Sequence, residues 1–208
     1  MEEFSSKKYW EELYKNNGNS GGGSYGRLAE FKAEIVNSFV KEKDIRSIVE
    51  WGCGDGNQLE LMAYNEYLGL DVSGTAVELC RKRFSEDASK RFECYDGAKK
   101  NIDPKKDMAV SLDVLYHLVE DKVYQCYMDN LFSSSSKYVC IYSSDYEKEQ
   151  DSSYIRRRNF TKYAEEHYPQ WELISHIPNR YPAVRGVSNP ETSNSEFYFY
   201  ELKDIMRI

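Results

Sequence analysis

From residue 45 onward the chain repeats one rhythm: a short apolar run, a turn, then a stretch with helical spacing. The apolar runs are Ser47–Trp51, Tyr67–Leu70, Arg91–Cys94, Met108–Leu112 and Tyr138–Tyr142. Between them Gln58–Tyr64, Thr75–Ser85 and Lys122–Leu131 read as helices. Short apolar strands alternating with helices predict a mostly parallel sheet covered on both faces. After Ser143 the rhythm changes. Tyr154–His167 reads as a helix, while Glu172–Ile177 and Glu196–Leu202 read as strands joined by a long loop with Pro, Gly and Asn. That pattern predicts an antiparallel pair finishing one edge of the sheet. The 208 residues suit one α/β domain and show no internal repeat.

Residues 1–44 read as a helical and Gly-rich adaptor packed on a core of 45–208. Tyr9, Trp10, Leu13 and Tyr14 share one face of a short helix. Leu28, Phe31, Ile35, Val36 and Phe39 form the stripe of a longer one, from Arg27 to Val40. Between them Asn16 to Ser24 holds four glycines and cannot stay helical. Composition leaves two readings of this stretch open, a linker or a loop that closes over a ligand.

The formal charge of -7 disfavours a protein that tracks nucleic-acid phosphates. No run approaches the ~20 apolar residues of a membrane span, and the first ten residues lack the apolar region of a secretory signal. The five cysteines, at 53, 80, 94, 126 and 140, never form C-x-x-C. They are expected to be free thiols without zinc, in a reducing cytoplasmic setting.

The strongest local signal is Ile48-Val-Glu-Trp-Gly-Cys-Gly-Asp-Gly-Asn-Gln-Leu59, joining the first strand to the next expected helix. Gly52, Gly54 and Gly56 allow a sharp turn and close approach of a ligand to the backbone. Ligands of open α/β sheets bind at this end of a central strand. The second strand closes on Asp71, at a distance from Gly52 suited to an acid that accepts ribose hydroxyls. A dinucleotide fingerprint fails because position 57 is Asn, and no Lys-Ser/Thr succeeds it as in a phosphate loop.

Glu50-Trp-Gly-Cys-Gly-Asp-Gly56 resembles motif I of the class I S-adenosylmethionine-dependent methyltransferases. Gly69-Leu-Asp71-Val-Ser resembles their second motif, and Asp107 to Leu118 their fourth strand with its loop. The resemblance spans roughly residues 45–202 and implies a Rossmann-like, seven-stranded sheet in the order 3-2-1-4-5-7-6. It implies S-adenosylmethionine as cofactor, with Glu50, Gly52, Cys53, Gly54 and Gly56 around its methionine and ribose. Asp71 would take the ribose hydroxyls, Val72 and Asp96 would flank the adenine, and Asp113 would face the methyl group or the acceptor. The overall appearance is similar to small bacterial methyltransferases of surface-polysaccharide modification, which implies a sugar or phosphoramidate oxygen as acceptor.

Methyl transfer from a sulfonium needs alignment above all, and a base only when the acceptor is a neutral hydroxyl. Asp113, Tyr116 and His117 are the catalytic candidates, His117 being one of three histidines and able to take a proton near neutrality. Between residues 151 and 187 six cations meet four anions. Of these Arg180 and Arg185, with His176, are the candidate arm for an anionic acceptor, because arginine forks suit carboxylate or phosphate. Tyr25 and Arg27, beside the Gly-rich stretch, join the acceptor candidates. The expected partner is therefore a small molecule. RNA or protein methylation is the alternative, as is a silent subunit that only binds the cofactor.

Overall fold

The computed structural model describes residues 4–99 and 105–203, so residues 1–3 of the expected adaptor and residues 100–104 and 204–208 of the expected domain lie outside it. In chain order the elements begin with α1 (Ser6–Lys15), α2 (Gly26–Glu42), β1 (Ser47–Trp51), β2 (Glu66–Asp71), α3 (Gly74–Arg83) and β3 (Lys90–Cys94). They continue with β4 (Lys106–Leu112), α4 (Asp121–Ser133), β5 (Ser135–Ser143), β6 (Lys148–Ser152) and β7 (Ile155–Arg157). The last are α5 (Phe160–His167), β8 (Trp171–Ile177) and β9 (Glu196–Leu202).

Seven strands form one sheet in the order β3-β2-β1-β4-β5-β9-β8. The first five are mutually parallel, and β9 runs antiparallel between β5 and β8. Counting sheet strands alone, this is the expected 3-2-1-4-5-7-6 order. Neighbouring residues of β1 point to opposite faces, and both are buried because helices cover both sides. Ile48 joins Tyr67, Met108 and Cys140 under Phe31, Val36 and Val40 of α2. Val49 joins Leu68, Ala109 and Ile141 under Tyr127, Met128 and Leu131 of α4. Each such side chain stabilises the fold by roughly 1.5–3 kcal/mol on leaving water. Among the described residues no helix is long and apolar enough to cross a membrane.

Two expected elements differ. Gln58–Tyr64 contains only a single 3-10 turn, Gln58–Leu61, and then runs extended. Side chains and backbone of α2 hold that stretch instead of an α-helical ladder: Asn37 Nδ2 donates to Leu61 O at 2.9 Å, and Ala63 N–H donates back to Asn37 Oδ1 at 2.8 Å. Gln58 Nε2 likewise donates to Ala29 O at 3.0 Å. The expected Tyr154–His167 helix is confined to Phe160–His167, capped by Asn159, whose side chain accepts from Lys162 N–H. Its first residues instead form β7, which pairs antiparallel with β6 in a separate hairpin.

Candidate active site

Where β1 stops, Gly52 and Cys53 N–H both donate to Leu70 O, at 2.7 and 3.1 Å, and fasten the Gly-rich turn to β2. Asp71 closes β2 and is buried. Its Oδ2 accepts Gly54 N–H and its Oδ1 accepts Ser73 N–H, both at 2.9 Å. Burial pushes the Asp71 carboxyl up to about 6, against the pull of those amides. Gly54 has φ +57°, and a Cβ there would collide with Ser20 Oγ. The turn is therefore covered by the N-terminal segment.

That cover is latched on Asp55. Ser20 N–H donates to Asp55 Oδ2 at 3.0 Å, and Asp55 N–H donates back to Ser20 Oγ at 2.9 Å. Tyr25 OH adds a bond to the same carboxylate at 2.8 Å, and Asn57 Nδ2 donates to Ser24 O at 2.7 Å. On the other side of the turn, α1 is pinned by Glu11, which accepts from the hydroxyls of Ser73 and Thr75 at 2.7 and 2.9 Å. Those bonds, led by Ser73, hold the Glu11 carboxyl down at about 2. A ligand on the Gly-rich turn must pass under this cover. Hydrogen exchange of peptides spanning residues 18–27 should therefore slow when S-adenosylhomocysteine is added; unchanged exchange would make the cover purely structural.

Beyond β4, Asp113 adopts φ +60°, in the left-handed region. Its carboxylate gathers three donors: Lys32 Nζ at 2.7 Å, and the hydroxyls of Tyr116 and Ser195 at 3.0 Å each. One turn further, His117 Nδ1 lies 3.2 Å from Tyr154 O. A carbonyl only accepts, so Nδ1 carries the hydrogen and Nε2 of the neutral ring holds the lone pair. Burial pushes the imidazole below its ordinary value, opposed by the Tyr154 carbonyl and the Asp113 charge.

These groups surround one cavity of about 850 Å³. Its wall includes Glu50, Gly52, Cys53, Gly54, Asp71, Val72, Asp96, Asp113, Tyr116 and His117. Gly56 stands outside it, and a Cβ there would meet Phe84 and Cys80, so that glycine lets the turn pack on α3. The residues expected on the acceptor arm lie elsewhere. Tyr25 is spent on Asp55, and Arg27 bonds Glu191 O at 2.8 Å. His176 meets Glu196 at 2.6 Å, Arg180 forks onto Glu34 at 2.7 Å, and Arg185 is exposed. None of these five lines the cavity. The cations that do line it are Lys7, Lys32 and Arg157 of β7. On either side of Arg157, Arg156 and Arg158 point the other way, to Val119 O at 3.2 and 2.9 Å. Strand alternation separates them. Lys32, Trp10 and Ser20 also line the cavity, in addition to the site residues expected from the sequence. Lys32 had a signal: it sits four residues from Leu28 and from Val36, on the apolar stripe of α2.

Residues 49–134 match the family model described as a methyltransferase domain, which covers β1 through α4 and the Gly-rich turn. The chain shares its fold with the N-methyltransferase NodS from Bradyrhizobium japonicum WM9 in complex with S-adenosylhomocysteine: TM-score 0.70, 11% identity, covering 97% of this chain and 100% of that one. It is also similar to magnesium protoporphyrin IX methyltransferase from Synechocystis PCC 6803 with bound S-adenosylhomocysteine: TM-score 0.67, 13% identity, 95% and 98% covered. A third is the methyltransferase domain of bacterial CtHen1, at TM-score 0.66 and 16% identity, 86% and 100% covered. A search of curated proteins finds no match. The sheet order and its turn are those of the class I methyltransferase fold, and two of these three structures hold S-adenosylhomocysteine, the product form of S-adenosylmethionine.

The residues present fit that cofactor. Glu50, Asp71 and Asp113 place three carboxyls in the wall, Asp113 paired with Lys32, a set compatible with a cationic sulfonium. Gln58 Oε1 is buried in the same wall without a partner, an acceptor waiting for a donor such as an ammonium group.

Proposed function

We propose that this protein transfers a methyl group from S-adenosylmethionine to an oxygen of a small, hydroxylated acceptor, with His117 as general base. The observation that carries the reading is His117 on the wall shared with Asp71 and Asp113, its Nδ1 held by the Tyr154 carbonyl so that the lone pair falls on Nε2. The bound cofactor supplies an electrophilic methyl carbon and a neutral thioether leaving group. Gly54 N–H and Gly52 keep the turn and Asp71 aligned; Gln58 and Glu50 face the cofactor's amino-acid end. Tyr116 and Ser195, held by Asp113, present hydroxyl oxygens to the acceptor. His117 Nε2 takes the acceptor's proton as the new C–O bond forms and the S–C bond breaks.

The acceptor wall supports a sugar-like molecule. Asn189, Thr192, Ser193, Asn194 and Ser195 supply amides and hydroxyls from one loop, and Ser144 Oγ is buried there without a partner. Trp10 and Tyr154 supply flat faces, and Arg157 suits a phosphate or phosphoramidate substituent. Such chemistry fits a precursor of a surface polysaccharide, acting in a reducing, cytoplasmic compartment. The N-terminal segment roofs the cavity, which favours a free small molecule over an RNA or a folded protein.

The test is a screen of sugars, sugar phosphates, amines and carbon acids with the purified protein, measuring release of S-adenosylhomocysteine. Turnover of a hydroxylated acceptor is expected. Turnover of amines or carbon acids alone would overturn the oxygen assignment, and binding without any turnover would leave a silent cofactor-binding subunit. With a hydroxyl acceptor in hand, His117→Gln should lower kcat by roughly 10²–10⁴-fold while leaving S-adenosylhomocysteine affinity unchanged. A loss below tenfold would restrict His117 to positioning.

A further inference from the structure

We infer that Trp10 is a positioning residue for His117, so that the imidazole's orientation and tautomer are set jointly by the N-terminal helix and the β6–β7 hairpin packed against it. The inference rests on the general-base reading of His117 and adds the device that aligns it.

The imidazole has little support from the sheet itself. His117 lies in a short 3-10 turn, Leu115–His117, after β4. What fixes its ring comes from two elements outside the seven-stranded sheet. Trp10 of α1 meets it edge-on, with centroids 4.9 Å apart and planes at 82°. Tyr154, in the turn between β6 and β7, supplies the carbonyl that takes the Nδ1 hydrogen and a ring nearly parallel to the imidazole at 14°. The two elements are themselves joined, because Tyr9 of α1 stacks on Tyr154 at 5.0 Å and 8°. Ser6 of α1 also bonds Glu120, three residues past His117, through N–H at 2.8 Å and through its hydroxyl. The rings of Trp10, Tyr154 and Tyr116 thus form one wall around the imidazole.

This geometry has a chemical consequence. An apolar ring set against an imidazole disfavours the charged form. A carbonyl fixed on Nδ1 selects the tautomer whose Nε2 carries the lone pair. The titratable and charged groups around the ring are Tyr9 and Lys7 of α1, Asp113, Tyr116 and Glu120 after β4, and Tyr154 and Arg157 of the hairpin. Of these, the Asp113 charge favours protonation and Arg157 opposes it. Removing the indole lets water reach the ring and releases α1 from it, while Asp113 stays in place. Desolvation is the largest influence on the ring and sets the expected direction: loss of Trp10 should raise the imidazole's proton affinity.

The experiment is an NMR titration of the histidine side chains in the full-length protein without cofactor. His117→Gln assigns the resonance among the three histidines. In the wild type His117 should titrate below the ordinary value of about 6.5, with nitrogen shifts of the Nδ1–H tautomer. Trp10→Ala should move the titration up toward that value and mix the tautomers. Trp10→Phe, which keeps an apolar ring, should restore both. Thermal unfolding and the dispersion of the amide spectrum control for folding, since each variant should still unfold cooperatively. An unchanged titration and tautomer in a folded Trp10→Ala protein would overturn the inference. So would a shift that phenylalanine fails to restore. Failure of the base reading shows separately, as acceptor turnover that survives His117→Gln while the titration still depends on Trp10.

Discussion

Replacing Glu50 by glutamine should make the ligand-free protein more stable at pH 8, by about 2–3 kcal/mol, and should weaken its cofactor affinity. Glu50 is the next-to-last residue of β1, buried at 4% exposure, where it accepts a hydrogen bond from Tyr67 OH at 2.6 Å. Burial pushes its carboxyl up to about 7, with the Tyr67 bond and the Lys32 charge only partly compensating. A carboxyl whose folded pKa is raised contributes its stability fully below the unfolded value of about 4.3. That contribution is lost as pH rises through about 7. Asp71, raised to about 6, acts with the same sign over a lower window. Wild-type stability should therefore fall between about pH 4 and pH 8 through these two groups. Glutamine keeps an acceptor for Tyr67 and never ionises, so the fall should shrink to the part owed to Asp71. Thermal unfolding at pH 5 and pH 8 measures this, and calorimetry with S-adenosylmethionine measures the loss of affinity. Equal pH dependence in the two proteins would mean that Glu50 is not desolvated.

How much was legible in the sequence depends on the range of the forces involved. The strands β1, β2 and β4 are continuous apolar runs, and the Gly-rich turn and Asp71 lie within one strand-turn-strand unit. Local pattern is enough for such elements. The C-terminal pair was equally readable, since Glu196 to Leu202 carries four buried aromatic residues in a row, Phe197, Tyr198, Phe199 and Tyr200. The hairpin of β6 and β7 was not, because its anchors are distant. Arg158 reaches back to Leu118 O at 2.6 Å and to Asp121 at 3.1 Å, and nothing in the Arg156–Arg158 run announces which guanidinium faces a cavity. The acceptor side suffered most for the same reason. A run of cations reads alike whether each is solvated, tied to an acid as Arg180 is to Glu34, or turned inward like Arg157. The roof was half readable: one face of α1 was evident, but its pins to Ser73 and Glu120 join residues 62 and 114 positions apart.

Lys32→Met should destabilise the fold by about 3 kcal/mol, read from urea unfolding, and this is the second large effect. The Lys32 side chain is 1% exposed and its partner Asp113 14%, with 2.7 Å between Nζ and Oδ2. Removing the ammonium leaves a mostly buried carboxylate with only two hydroxyl donors, Tyr116 and Ser195. Stranding one member of a buried pair costs far more than the pair itself contributes. Asp113→Asn alone should cost a similar amount by stranding the ammonium, and asparagine is the right probe because it tolerates the left-handed φ of +60°. It also keeps an acceptor for both hydroxyls. The double variant Lys32→Met, Asp113→Asn holds no charge in this position, so its loss should fall short of the two single losses added together by at least about 1 kcal/mol. Strict additivity would mean that water already screens the pair. On one side the backbone excludes such water, since a Cβ on Gly23 would lie 2.7 Å from Asp113 Oδ2. The pair therefore ties the N-terminal segment, through α2 and the Gly-rich stretch, to the residue that holds Tyr116 and Ser195 in the cavity wall. In this chain the cover over the site and the end of β4 are one structure, and a single buried charge pair joins them.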